Sequence, residues 1–139
     1  MEKLEDAKEI CVDTDVLIDF LKRKDPGSQT YELWRKKASV GITSITAFEL
    51  ILGAKLSHVK EKRYEEVMSL IRQHEKIYPF DIASAEIASE IGAELRRQGN
   101  GIEIRDLFNA AICVRLDIPI LTRNKNHYQR VTELGLVDV

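Results

Sequence analysis

The chain has 139 residues, 44% apolar and 32% charged, with a formal net charge of −2. That length suits one domain with a real core rather than two, and the balance excludes a disordered chain. The near-neutral charge excludes a protein that coats nucleic acid through positive potential alone, so any polyanionic substrate must be met by local basic groups or a bound cation.

No stretch reaches the apolar length of a membrane span, and the acidic start MEKLEDAKE is unlike a signal peptide. A cytoplasmic location with no membrane partner is the expectation, with residues 1–8 as a loosely ordered extension of a single domain spanning 1–139. The run Glu9–Val12 predicts a first strand, and Val16–Lys24 a helix. Asp25–Pro26–Gly27–Ser28 predicts a turn, Gln29–Lys37 a helix with Tyr31 and Trp34 on one face, and Val40–Thr43 a second strand. A helix is expected from Thr46 towards Ala54, and a highly charged one over Val59–His74 with Tyr64, Val67, Met68 and Ile71 at helical spacing. Lys76–Phe80 predicts a third strand. Ser84–Arg97 predicts a helix stopped by Gly99–Asn100–Gly101, and Asp106–Leu116 another with a small, aliphatic face. Ile118–Thr122 predicts a fourth strand, Lys125–Arg130 a short helical piece, and Leu136–Val139 a fifth strand. Strands apolar throughout and separated by helices imply a three-layer α/β/α domain around a mainly parallel sheet of about five strands. Cys11 and Cys113, each flanked by aliphatics, read as buried free thiols rather than a disulfide or a metal pair.

Chemistry concentrates where strands are expected to end. Asp13, Thr14 and Asp15 follow the first aliphatic run, and in a parallel sheet the carboxyl ends of the strands share one edge. Two acids there repel each other and lose hydration, so a cation is expected between them. Glu49, Asp106 and Asn124 fall at comparable positions. Each has a plain structural alternative. Asp15 caps a helix beginning at Val16; Thr46 and Glu49 form a capping box; Asp106 answers the helix dipole; Asn124 caps the piece after the fourth strand. As a set, these oxygen-rich groups match what Mg²⁺ or Mn²⁺ takes. Cysteine–histidine spacing for zinc is lacking, and His58 and His74 lie in a charged helical region where solvation is the expected role.

The segments ICVDTDVLIDFL, SITAFELILGA and IRDLFNAAICVRLDIPILTRNKNHYQRV, in that order, resemble the PIN domain and, more narrowly, the VapC-type ribonuclease toxins of toxin–antitoxin modules. The resemblance implies a metal-dependent endoribonuclease with Asp13, Glu49 and Asp106 as its acids, holding one or two Mg²⁺ or Mn²⁺ ions with help from Asp15 and Asn124. The family's fourth acidic position falls in Thr122–Arg123–Asn124–Lys125–Asn126–His127–Tyr128, where this chain has no carboxylate and His127 stands where many relatives carry Asp. Arg105, Arg123, Thr14, Thr122 and His127 are expected around single-stranded RNA at the mouth of the site, with solvated surface arginines and turn-closing threonines as the alternatives. The resemblance further implies a homodimer and a VapB-like antitoxin laid across the helices over Gln29–Lys37 and Val59–His74. Three rival readings remain open from the sequence. A haloacid-dehalogenase-like phosphatase would use Asp13 as nucleophile and Asp15 as general acid, but Leu17 and the lack of a later acid pair oppose it. A non-catalytic binding module with a decayed site and a stand-alone RNA-processing nuclease are the others.

Overall fold

The computed structural model describes residues 4–139. After a single 3₁₀ turn at Leu4–Asp6, the elements in chain order are β1 (Glu9–Val12), α1 (Thr14–Lys22), α2 (Gly27–Lys37), β2 (Ser39–Thr43), α3 (Ser44–Lys55), α4 (Lys60–Arg72), β3 (Ile77–Tyr78), α5 (Ile82–Arg97), α6 (Ile104–Leu116), β4 (Ile120–Thr122), α7 (Lys125–Tyr128) and β5 (Leu136–Asp138). The five strands form one parallel sheet in the order β3-β2-β1-β4-β5. The three-layer expectation is met, with all of the sheet parallel.

Side-chain alternation builds the layers. Ile10 and Val12 of β1, Ile42 of β2 and Leu121 of β4 join one core with Val16, Leu17, Tyr31, Trp34, Leu50, Val67 and Leu70, so α1 to α4 cover that face. Cys11 and Ile120 point the other way, into a second core with Ala88, Ile91, Leu107, Ala110, Ile112 and Tyr128 from α5, α6 and α7. Cys11 and Cys113 are free thiols within that second core.

The strand order decides where the chemistry sits. β1 is central, the chain leaves it towards β2 on one side, and β4 returns on the other. The carboxyl ends of β1 and β4 flank this reversal, the place where a parallel sheet opens a crevice. The register pairs Val12 with Leu121, so Asp13 and Thr122 emerge side by side at that edge.

Several local expectations are corrected. α1 begins at Thr14, not Val16, and its N-cap is Asp13, whose Oδ1 accepts from Thr14 N at 2.8 Å. Asp15 therefore lies inside the first turn and is not the cap. The Thr46–Glu49 capping box does not form, because β2 runs into α3 without a linker and Thr43 takes the cap, its Oγ1 accepting from Thr46 N at 3.0 Å. Glu49 is thereby left free to face another direction. Asn124 occupies the N-cap position of α7 without a side-chain capping bond. His74 is not a solvated residue of a charged helix. It is buried, with Nε2 2.8 Å from Tyr31 Oη and Nδ1 2.9 Å from Leu70 O, and burial lowers its proton affinity. The apolar row of α4 continues past the helix end and carries His74 inward.

Gly41 of β2 lies under the ring of Tyr78, and a Cβ there would stand 2.6 Å from Tyr78 Cε2. Tyr78 is held in turn by Glu9, to which its hydroxyl donates at 2.7 Å. Gly41→Ala is expected to destabilise the fold by about 1–3 kcal/mol through this overpacking. Urea unfolding checks it, and equal or higher stability of the variant would contradict the packing described.

Candidate active site

Asp13 is 6% exposed, the most enclosed of the acids proposed from sequence. Its backbone N donates to Leu121 O at 2.9 Å, continuing the sheet by one bond. Its Oδ1 accepts from Thr14 N, and its Oδ2 accepts from Thr122 Oγ1 at 2.8 Å. These bonds favour the charged form, but other forces overcome them. Burial, with the negative charges of Asp15 and Asp106 adding to it, pushes the Asp13 carboxyl up to about 7.

Thr122 Oγ1 also accepts from Asn124 N at 2.8 Å and lies 3.5 Å from Asp15 Oδ2. Its one proton goes to Asp13. Asp15 Oδ2 accepts from Arg123 N at 3.1 Å, while Asp15 Oδ1 is buried with no hydrogen-bond partner among the described residues. Burial holds the Asp15 carboxyl above its ordinary range, with the Arg123 charge acting against that rise. The Arg123 side chain turns from Asp15 to Asp19, another buried acid of α1, with Nε 3.0 Å from Asp19 Oδ2.

Glu49 reaches the cluster through Thr14, whose Oγ1 donates to Glu49 Oε1 at 3.0 Å and lies 3.0 Å from Thr46 Oγ1. The other oxygen, Glu49 Oε2, accepts from Arg105 Nη1 at 2.8 Å, and Arg105 Nη2 donates to Glu103 Oε1 at 3.0 Å. Asp106, the third residue of α6, has Oδ2 3.0 Å from His127 Nδ1 and Oδ1 3.4 Å from the Tyr128 hydroxyl. His127 Nδ1 is also 2.8 Å from Asn124 Nδ2. One ring nitrogen cannot donate to Asp106 and accept from that amide at once, so donation to Asp106 requires Asn124 to present its amide oxygen.

All ten residues proposed from sequence thus belong to one connected polar network at the β1–β4 edge. They are not equivalent. Asp15 and Asp106 act on Asp13 by charge, whereas Glu49 is one hydroxyl removed and turned to Arg105. Among the described residues, no group of three acidic, histidine or cysteine side chains is arranged to hold an ion. Arg105 and Arg123 are about half exposed but neither is an unpaired surface arginine, since each binds an acid.

The sequence reading missed the support beneath the acids. Thr43 Oγ1 donates to Asn109 Oδ1 at 2.6 Å, Asn109 Nδ2 donates to the Tyr128 hydroxyl at 3.4 Å, and that hydroxyl reaches Asp106. Thr43, Asn109 and Tyr128 are all buried. The available signal was Asn109, a polar residue in the otherwise apolar Phe108–Ala111 run of α6.

The donor set suits a hard divalent cation. It is made of carboxylate oxygens with neighbouring hydroxyls and an amide, one of its carboxylate oxygens is buried and unpartnered, and its central acid resists ionisation because it is buried beside two further acids. In comparisons with known proteins, the PIN domain family model matches residues 10–134. The chain is 32% identical over 136 residues to ribonuclease VapC1 of Methanocaldococcus jannaschii, covering 97% of this chain and 90% of that protein. It is 28% identical to the tRNA(fMet)-specific endonuclease VapC of Shigella flexneri, covering 91% and 95%. Its fold is similar to that in the crystal structure of VapBC2 from Rickettsia felis bound to a promoter DNA fragment, with a TM-score of 0.83, 23% identity, and 94% and 98% of the two chains covered. With a family match over most of its length and a VapC ribonuclease at this identity, the chain belongs to the PIN domain family.

Proposed function

We propose that this chain is a divalent-metal-dependent endoribonuclease that cleaves phosphodiester bonds of single-stranded RNA, and that it is the toxin of a type II toxin–antitoxin module. The observation that carries the chemistry is the buried Asp13 carboxyl, raised to about 7 beside Asp15 and Asp106 at the sheet's switch point. Relatives named as VapC ribonucleases support the activity, and divalent-metal dependence is a general property of the family.

Asp13 and Asp106 are the proposed principal ligands of Mg²⁺ or Mn²⁺, with Glu49 joining them and Asp15 and Asn124 as further oxygen donors. The bound ion supplies acidification of water and neutralisation of charge on the scissile phosphate. The protein's own residues prepare that step. Thr122 and the amide of Thr14 fix both oxygens of Asp13, so its carboxylate cannot rotate away. The Tyr128 hydroxyl, backed by Asn109 and Thr43, and the His127 ring hold Asp106 from two sides. Arg105, Arg123 and His127 are partly exposed at the rim, where an RNA phosphate would approach. The tRNA named for the Shigella relative makes tRNA a natural first substrate.

Solved complexes of similar fold include VapBC complexes and a toxin–antitoxin complex from Klebsiella pneumoniae, and a VapB-like antitoxin is the proposed partner. A groove of about 290 Å³ lined by Ile18, Leu21, Glu49, Leu50 and Val67 adjoins the site through Glu49 and offers an apolar seat for it. No helix among the described residues is long and apolar enough to cross a membrane. A haloacid-dehalogenase-like phosphatase using Asp15 as general acid finds no support, because the family model that matches residues 10–134 is that of the PIN domain.

Two measurements test this reading. Wild-type protein with Mn²⁺ or Mg²⁺ is expected to cleave RNA and to stop with chelator, and Asp13→Asn and Asp106→Asn each to lose about 100-fold or more. Cleavage that persists in both variants contradicts it, while an inert wild type, even with an intact fold and added metal, favours the non-catalytic module. The second concerns pH. With the Asp13 carboxyl at about 7, an incoming ion must displace its proton below that pH. Mn²⁺ affinity should therefore rise about tenfold per pH unit from about 5.5 to 7 and flatten above. A pH-independent affinity across that window would show that Asp13 is not a ligand.

A further inference from the structure

Glu49 is the only one of the three principal acids whose charge is matched by a full positive charge other than a histidine's. Its Oε2 takes Arg105 Nη1 at 2.8 Å and its Oε1 takes the Thr14 hydroxyl at 3.0 Å, so each of its oxygens already has a partner. Arg105 is anchored from its other side by Glu103 at 3.0 Å, the N-cap residue of the helix that carries Asp106. One guanidinium thus straps α3 to the start of α6 across the edge of the acid cluster. Thr14 belongs to the same arrangement, since its amide holds Asp13 while its hydroxyl holds Glu49.

We propose that Arg105 is a built-in cationic latch on Glu49, holding this acid away from Asp13 and Asp106 until a divalent ion takes it in exchange. This deepens the metal-site reading above and rests on it. The exchange is chemically even-handed: Glu49 gives up one cation and gains another, and Arg105 keeps Glu103, so no charge is stranded. The latch is also easily opened. Arg105 has a side chain 48% exposed, and half-exposed ion pairs are weak because water competes for both partners. The geometry explains why the acids, though linked in one network, are not gathered around a single point: Glu49 alone among the three is drawn aside by an arginine. When displaced, the guanidinium keeps Glu103 through Nη2 and frees Nη1 at the rim for a phosphate oxygen. The latch therefore couples metal loading to the appearance of a phosphate-binding group.

The test is a double-mutant cycle on Mn²⁺ affinity, read by calorimetry or by the electron paramagnetic resonance of free Mn²⁺, so it does not depend on cleavage. Four proteins are compared: wild type, Arg105→Gln, Glu49→Gln and the double variant. Freed of its competitor, Arg105→Gln should bind Mn²⁺ about two- to fivefold more tightly than wild type, the ratio expected of an exposed ion pair. In the Glu49→Gln background the same substitution should change nothing, because the latch acts through that carboxylate. Unchanged or weaker binding by Arg105→Gln overturns the latch, as does a gain that persists without Glu49, which would mark a general effect of removing positive charge. If wild type binds Mn²⁺ and only the cycle fails, the metal site stands and the latch falls. If none of the four binds Mn²⁺, both fall.

Discussion

A carboxyl group placed at the end of the central strand, with two more acids within reach of its charge, is the constraint around which this molecule is arranged. Asp13 is buried because β1 is central in the sheet and covered on both faces, so the residue that follows its last rung has little access to water. Its proton affinity rises accordingly, and Asp15 and Asp106 add to the rise. Two hydrogen bonds to Asp13 do not offset that cost, and Asp15 keeps an oxygen with no partner among the described residues. Such an arrangement is unfavourable for an isolated fold and favourable for one that binds a cation, which is the sense in which stability is given up for function at this edge.

The rest of the fold holds these groups still. Short polar chains run from the core to the acids: Thr43 to Asn109 to Tyr128 to Asp106, and Thr122 to Asp13. Their members lie on β2, α6, α7 and β4, elements fixed by two separate apolar cores on the faces of the sheet. Thr43 serves twice, capping α3 and donating to Asn109. Because these hydroxyls and amides are themselves enclosed, they cannot reorient freely, and the positions of Asp13 and Asp106 are set before any ion arrives.

Much of this was legible in the amino-acid order, and the exceptions have physical causes. The aliphatic runs ending in Asp13 and Thr122 marked strands buried on both faces, and the ten residues singled out for the site do fall in one network. α1 and α3 each begin two residues before the position their sequence suggests, because β1 and β2 pass into them with a single capping residue or none between, leaving no turn-forming composition to read. Asp13 and Thr43 therefore take the cap places that the sequence suggests for Asp15 and Thr46. Strand order, which brings β4 beside β1, is set by long-range packing and has no local signature. The same holds for His74, whose charged neighbours hid its contact with Tyr31, 43 positions away. The pairing of Glu49 with Arg105 likewise depends on how α3 meets α6.

On the proposed function, the ionised Asp13 carboxylate is a burden on the metal-free fold that a divalent ion relieves. Its carboxyl binds a proton more readily folded than unfolded, so stability falls as pH rises from about 4 to 7 and the full penalty is present above. A shift from the ordinary 3.8 to about 7 corresponds to about 4 kcal/mol. The direct measurement is thermal unfolding of wild type and Asp13→Asn at about pH 8, first with chelator and then with saturating Mn²⁺. The variant should melt higher than wild type in chelator, and the order should reverse with Mn²⁺. Wild type melting higher in chelator, or an order unchanged by the ion, would contradict the claim.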